Sequence, residues 1–235
     1  MVVPQPGDLP ALRSALRVAP AELDIGARWW AWDQGTARVV VAPSDGPMDA
    51  QPRGLVSQRV LPDLDLDISV LTARGRVALE GLDQAPVPEV LGQLWRIKCH
   101  RDVVALAFTV GCDVPCDGPD TDQGSVSLEW WRPNWNLTVT TSDYEGLLGM
   151  RDVGTAAVPD WWPAIDWEDH GWLRTPTGSL IDVRLPGLHP GDHLDLVVAA
   201  AWDHGGVDRE MSNSWLASHL VIPARVSEFA MGSVG

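Results

Sequence analysis

Phenylalanine and tyrosine are nearly missing from this chain: two Phe and one Tyr in 235 residues. Lysine is scarcer still, since Lys98 stands alone among 17 basic residues and the other cations are Arg. No apolar run reaches the ~18 residues of a spanning helix. Met1-Val-Val-Pro-Gln-Pro-Gly-Asp carries neither a basic leader nor an apolar segment of signal-peptide length, so a cytoplasmic protein is expected. The three cysteines, Cys99, Cys112 and Cys116, are too few and too odd in number for a secreted disulfide scaffold. The chain has no Gly-x-Ser-x-Gly elbow, phosphate-cradling Gly-Lys loop, dinucleotide fingerprint or His-Glu-x-x-His. Serine hydrolases, nucleotide enzymes and helix-borne zinc proteases lose their usual signatures with them. Against 17 basic residues stand 32 acidic ones, a formal charge of −15. Such a field repels phosphate backbones and anionic membrane surfaces, which leaves cations, polyols and neutral or basic ligands.

Tryptophan supplies what Phe and Tyr do not. Thirteen of the sixteen aromatic residues are Trp, and nine fall in three clusters built on a Trp-Trp pair. These are Trp29-Trp30-Ala-Trp32, Trp130-Trp131-Arg-Pro-Asn-Trp135 and Trp161-Trp162-Pro-Ala-Ile-Asp-Trp167. Neighbouring side chains on an extended segment point to opposite faces, so such a pair cannot lie wholly in a core. Trp95, Trp130, Trp135, Trp202 and Trp215 keep phase with aliphatic neighbours and read as core. Trp131, Trp161, Trp162, Trp167 and Trp172 do not.

Period-two alternation dominates the rest. Leu64, Leu66, Ile68 and Val70 share a face opposite Asp63, Asp65 and Asp67. Val126, Leu128 and Trp130 run into the turn Arg132-Pro133-Asn134 and return through Trp135, Leu137 and Val139, a hairpin signature. Leu194 to Trp202 alternates likewise, and Trp215, Ala217, His219 and Val221 suggest a last strand. Further strands are expected at residues 37–41, 75–79, 94–99 and 103–110. Helix is expected at most twice and briefly, over Pro10–Val18 with Leu12 and Leu16 on one face, and less clearly over Pro88–Trp95, which could equally open the next strand. Many short strands with 19 Pro and 22 Gly between them describe an all-β chain. The expected form is one antiparallel β-sandwich over residues 1–235, jelly-roll or immunoglobulin-like, with a closed barrel as the alternative. A faint echo of residues 54–68 in residues 178–198 raises a second possibility, two β lobes meeting near 115–125.

The segment from Pro159 to Trp172 concentrates the chemistry. It holds Trp161, Trp162, Trp167 and Trp172 with Asp166, Glu168, Asp169 and His170, and follows no strand or helix period. Indole faces stack on the C–H faces of sugars and attract cations through the ring quadrupole. Carboxylates beside them accept hydroxyl or ammonium donors. Trp131, Trp161, Trp162, Asp166, Trp167, Glu168, Asp169 and Trp172 are therefore the candidate ligand-binding residues. The expected function is non-catalytic binding or assembly through this acidic, Trp-lined surface, toward a polyol or glycan, a cationic ligand or a partner chain. The alternative is a cofactor-free cyclase or isomerase in which Asp166 or Asp169 handles a proton. No catalytic residue, resident metal or cofactor is assigned. Three weaker metal patterns are noted: Cys99 or His100 with Cys112-x3-Cys116, Asp117/Asp120/Asp122 near Asp113, and His189/His193 with Asp195. A structural reading serves each as well: reduced thiols, a polar hairpin turn, and the turn Pro190-Gly191-Asp192 entering a strand.

Overall fold

A computed structural model describes residues 9–20, 36–41, 53–61, 66–76, 89–112, 114–122, 124–163, 171–174, 179–203 and 210–231. Twelve strands within them form two antiparallel sheets. The five-stranded sheet runs β10-β11-β6-β1-β2, made from β1 (Leu12–Pro20), β2 (Thr36–Val41), β6 (Val103–Cys112), β10 (Gly171–Arg174) and β11 (Leu180–Leu188). The seven-stranded sheet runs β3-β4-β5-β12-β9-β8-β7. Its strands are β3 (Arg53–Leu61), β4 (Leu66–Arg76), β5 (Glu89–Cys99), β7 (Gly118–Asp122), β8 (Ser125–Arg132), β9 (Trp135–Ser142) and β12 (His193–Asp203). Neither sheet closes into a barrel. The sandwich expected from the alternation is the fold.

The inner faces meet in one core. Leu12, Leu16, Leu106, Phe108, Ile181 and Val183 come from the smaller sheet. Leu66, Ile68, Val70, Trp95, Val126, Leu128, Trp130, Leu137, Val139 and the face Leu194 to Trp202 come from the larger. Each fully buried aliphatic or aromatic side chain contributes ~1.5–3 kcal/mol. The Pro133-Asn134 turn joins β8 to β9 with Arg132 opposite Trp135, as the turn chemistry required.

The larger sheet is covered on its other face too. Two helices, α2 (Glu210–Leu220) and α3 (Pro223–Ala230), lie there. Leu216, Ala217, Leu220 and Phe229 pack on Ala73, Val90, Ala199 and Ala201, while Val226 packs on Leu94 and Val197. A strand buried on both faces needs apolar residues at every position, which explains the unbroken Leu-Val-Val-Ala-Ala-Ala-Trp run of β12.

Two expected elements are corrected. Residues 10–18 are not helical but supply β1, where Leu12, Ser14, Leu16 and Val18 are buried. Leu12 and Leu16 suit either period, and polar Ser14 hid the alternation. Ser14 points inward because its hydroxyl donates to Gln93 Oε1 at 2.6 Å on the facing sheet. Residues 215–221 are not a strand. Asn213, Leu216, Ala217 and Leu220 are buried, an i, i+3, i+4, i+7 spacing that a helix places on one face. His219, which shared the phase of that expected strand, is exposed. Of the two readings open for Pro88–Trp95, residues 89–95 take the strand and open β5. With α1 (Tyr144–Asp152), helices number three among the described residues, not two at most. The echoing segments occupy different settings. β3 and β4 form a hairpin within one sheet, whereas β11 and β12 belong to different sheets.

Candidate functional site

The site is built on the turn that carries the chain from one sheet to the other, between β11 and β12. Pro190 presets the first central position and Gly191, at φ 95°, takes the second, where a side chain would be strained. The Asp192 N–H donates to His189 O at 3.0 Å. The turn is tied to the end of β5 by two further backbone bonds, Gly191 N–H to Cys99 O (2.8 Å) and Cys99 N–H to Asp192 O (3.0 Å). One carboxylate oxygen of Asp192, Oδ2, accepts both the His189 N–H (2.8 Å) and the indole Nε1–H of Trp161 (2.7 Å). The Trp161 ring stacks on the His189 imidazole, centroids 4.3 Å apart and planes 28° apart. His189 Nδ1 meets Asp102 Oδ1 at 2.9 Å. Trp161 nevertheless remains 43% exposed.

Its neighbour does the opposite. Trp162 is 2% exposed, its Nε1–H donates to Gly187 O (2.9 Å), and its ring rests against Tyr144 with centroids 5.7 Å apart. Arg151 Nη1 donates to Trp162 O at 3.1 Å, and the Tyr144 hydroxyl donates to Pro163 O at 2.6 Å. Helix α1 thus buttresses the loop, and Asp143 caps it by accepting the Gly146 N–H at 2.9 Å. Trp162 was expected among the ligand-binding residues; the structure buries it in the core, where it ties its segment to β11. A ring with no open face cannot stack on a ligand.

The Trp130-Trp131 pair divides the same way on β8. Trp130 is fully buried and donates its Nε1–H to Val114 O (2.9 Å), while Trp131 is 39% exposed. The Asp117 carboxylate accepts the Trp131 backbone N–H (2.7 Å) and pairs with Arg132. That carboxylate is therefore engaged; Asp117 precedes β7, and Asp120 and Asp122 stand on β7 in register with Ser127 and Ser125 of β8. Asp113 lies outside the described residues. So do Asp166, Trp167, Glu168, Asp169 and His170. Trp172 stands on β10 opposite Val183 in register.

Among the described residues no three His, Cys, Asp or Glu side chains gather as a metal donor set. Asp195 Oδ2 takes the Ala157 N–H (3.1 Å), and His189 is turned to Asp102 and Trp161. Cys99, Cys112 and Cys116 are buried and form no disulfide. Sequence reasoning did not join Asp102, His189 and Asp192 to Trp161. Local turn chemistry marked Asp192, but nothing in the sequence signalled its reach to an indole 31 residues away.

Burial raises the Asp195 carboxyl above its ordinary value of 3.8, against the Ala157 N–H and the nearby Arg96 and His193 charges. From 3.8 up to the raised value the folded chain holds this proton more tightly than the unfolded chain. The group's contribution to stability therefore falls as pH rises through that window. Asp195→Asn keeps an acceptor for Ala157 and removes the buried charge. Its unfolding midpoint at pH 7 should match or exceed that of the parent, with the advantage shrinking toward pH 4. Asp195→Ala should be less stable at both values. Equal losses in the two variants at pH 7 would show that the charge itself is stabilising.

No family model and no curated protein sequence matches this chain. Among solved structures, one described as "Putative kojibiose phosphorylase from human microbiome" aligns at 9% identity with a TM-score of 0.37. The match covers 77% of this chain and 22% of that one. The chain thus spans about a fifth of that protein's length.

Proposed function

We propose that the chain is a non-catalytic binding protein whose Trp161 shelf takes a polyol or glycan. The observation that carries this reading is a large indole left 43% exposed yet held rigidly from two sides. Asp192 fixes its edge and His189 one of its faces. An exposed aromatic ring costs solubility unless something covers it, and fixing it beforehand lowers the entropy lost on binding. The carboxylates of Asp192 and Asp102, held against Trp161 and His189, suit hydroxyl donors. An open shelf favours binding over the cyclase alternative, which needs an enclosed cavity around a reactive cation. Trp131, whose backbone is held by Asp117 and Arg132, is proposed as a second contact. Asp166, Trp167, Glu168, Asp169 and Trp172 remain proposed parts of the same surface. No described helix is long and apolar enough to cross a membrane.

Titration of tryptophan emission with neutral mono- and oligosaccharides, and with spermidine and tetramethylammonium as cationic probes, tests the reading. At least one neutral saccharide should bind, and Trp161→Ala should weaken it tenfold or more with the thermal midpoint little changed. Asp192→Asn should give a smaller loss. Undiminished saccharide affinity in Trp161→Ala would remove the shelf from the site, and binding confined to the cations would replace the ligand class.

A further inference from the structure

The centre of the sandwich holds a polar group that its own partners do not satisfy. Gln93 and Trp95 sit two residues apart on the inner face of β5, both 0% exposed. At strand spacing their Cα atoms lie ~6.6 Å apart, side by side. Gln93 Oε1 is taken by the Ser14 hydroxyl from the opposite sheet, at 2.6 Å. Gln93 Nε2 and Trp95 Nε1 are both buried donors that meet no acceptor. In register, Trp95 is flanked by Val70 and Leu196, and its ring meets Phe108 edge-on at 5.6 Å. None of these three offers a side-chain oxygen or nitrogen. A buried amide N–H left unpaired costs about 1–3 kcal/mol, and native interiors rarely leave two together.

We propose that this inter-sheet space is a binding site for one ordered water molecule held between Gln93 Nε2 and Trp95 Nε1. The chemistry selects the occupant. Two donors require an acceptor, and an apolar surround without a counter-charge requires a neutral one. Close-packed neighbours require a small one. Water has two lone pairs for the two N–H groups, and the Ser14 oxygen, which donates only once, can accept one of its protons. The result is a chain, Ser14 to Gln93 to water to Trp95, in which the direct Ser14–Gln93 bond links β1 to β5 and the water extends it along β5. It fixes the facing of the two sheets, which an apolar contact alone defines loosely.

Nuclear magnetic resonance on the 15N-labelled protein tests this without disturbing the core. The Trp95 indole N–H, assigned by its contacts to the Phe108 ring and confirmed by its loss in Trp95→Phe, should show a cross peak at the water frequency. A resident water gives opposite signs in laboratory-frame and rotating-frame Overhauser spectra, whereas proton exchange gives the same sign in both. The cross peak should persist in Ser14→Ala, where no hydroxyl can relay it. Three results would overturn the proposal. One is absence of the peak, and another is an exchange signature. The third is an indole proton shifted strongly upfield onto the Phe108 ring, which would show a dry N–H···π contact instead. A crystal structure at water-resolving resolution provides a second, independent reading. Density within hydrogen-bonding distance of both nitrogens supports the bridge, and none at that position refutes it.

Discussion

Trp162→Ala should unfold the protein many degrees below the parent, while Trp161→Ala, one residue earlier, should leave the transition almost where it was. Removing a buried Trp costs about 3–5 kcal/mol, because transfer energy and packing contacts are both lost. Trp162 is 2% exposed and also satisfies Gly187 O and orients Tyr144. For a domain of this size such a loss lowers the thermal midpoint by roughly 6–20 °C. Trp161 is 43% exposed and contributes a surface hydrogen bond and a stacking contact, so its truncation should cost about 1 kcal/mol or less. Differential scanning calorimetry on the two variants measures this directly. Equal midpoints would mean that the inward and outward assignments of the pair are wrong, and the proposed shelf would fall with them.

Gly187→Ala should be strongly destabilising although it adds a single methyl group. A Cβ built at Gly187 would stand 1.9 Å from Val103 O and 2.6 Å from Val104 O. Both are backbone atoms of β6, which cannot swing aside as a side chain can. Relief requires β11 to move off β6, at the strand position whose carbonyl accepts the Trp162 indole. Overpacking typically costs about 1–3 kcal/mol, and two backbone clashes put this case at or beyond the upper end. The expected readouts are a lowered midpoint and a changed tryptophan emission spectrum, since the loop bearing Trp161 and Trp162 loses its seat. Gly149→Ala in α1 is the control. Nothing lies within 4 Å of its added Cβ, so it should be neutral or stabilise by about 0.5–1 kcal/mol. A well-folded Gly187→Ala with an unchanged midpoint would contradict the close approach of β11 to β6.

The fold was readable where local chemistry and burial agree. Pro133-Asn134 announced the β8–β9 hairpin, and the Leu194–Trp202 alternation announced β12, because each rests on contacts a few residues apart or on one periodic face. The misread segments are those in which a polar residue does a core task. Ser14 is inward because Gln93 awaits it across the sandwich, and Asn213 is inward because Asp203 Oδ2 accepts its Nδ2–H at 3.2 Å. No sequence period records a partner 79 residues away. The Trp pairs show the same division. That one ring of Trp130-Trp131 must face outward follows from strand geometry, and it does. Which indole of Trp161-Trp162 faces outward depends on Gly187 and Asp192, and only the assembled sheets bring those into reach.

The placement of β12 bears on how the molecule comes into being. It is the late-arriving strand that hydrogen-bonds β5 on one side and β9 on the other. Before it docks, the larger sheet exists only as two unjoined pieces, β3-β4-β5 and β9-β8-β7, each offering a bare edge. During synthesis those edges stay unsealed until residue 203 has left the ribosome. Premature termination short of that point should therefore yield not a smaller working protein but a sticky fragment that depends on chaperones.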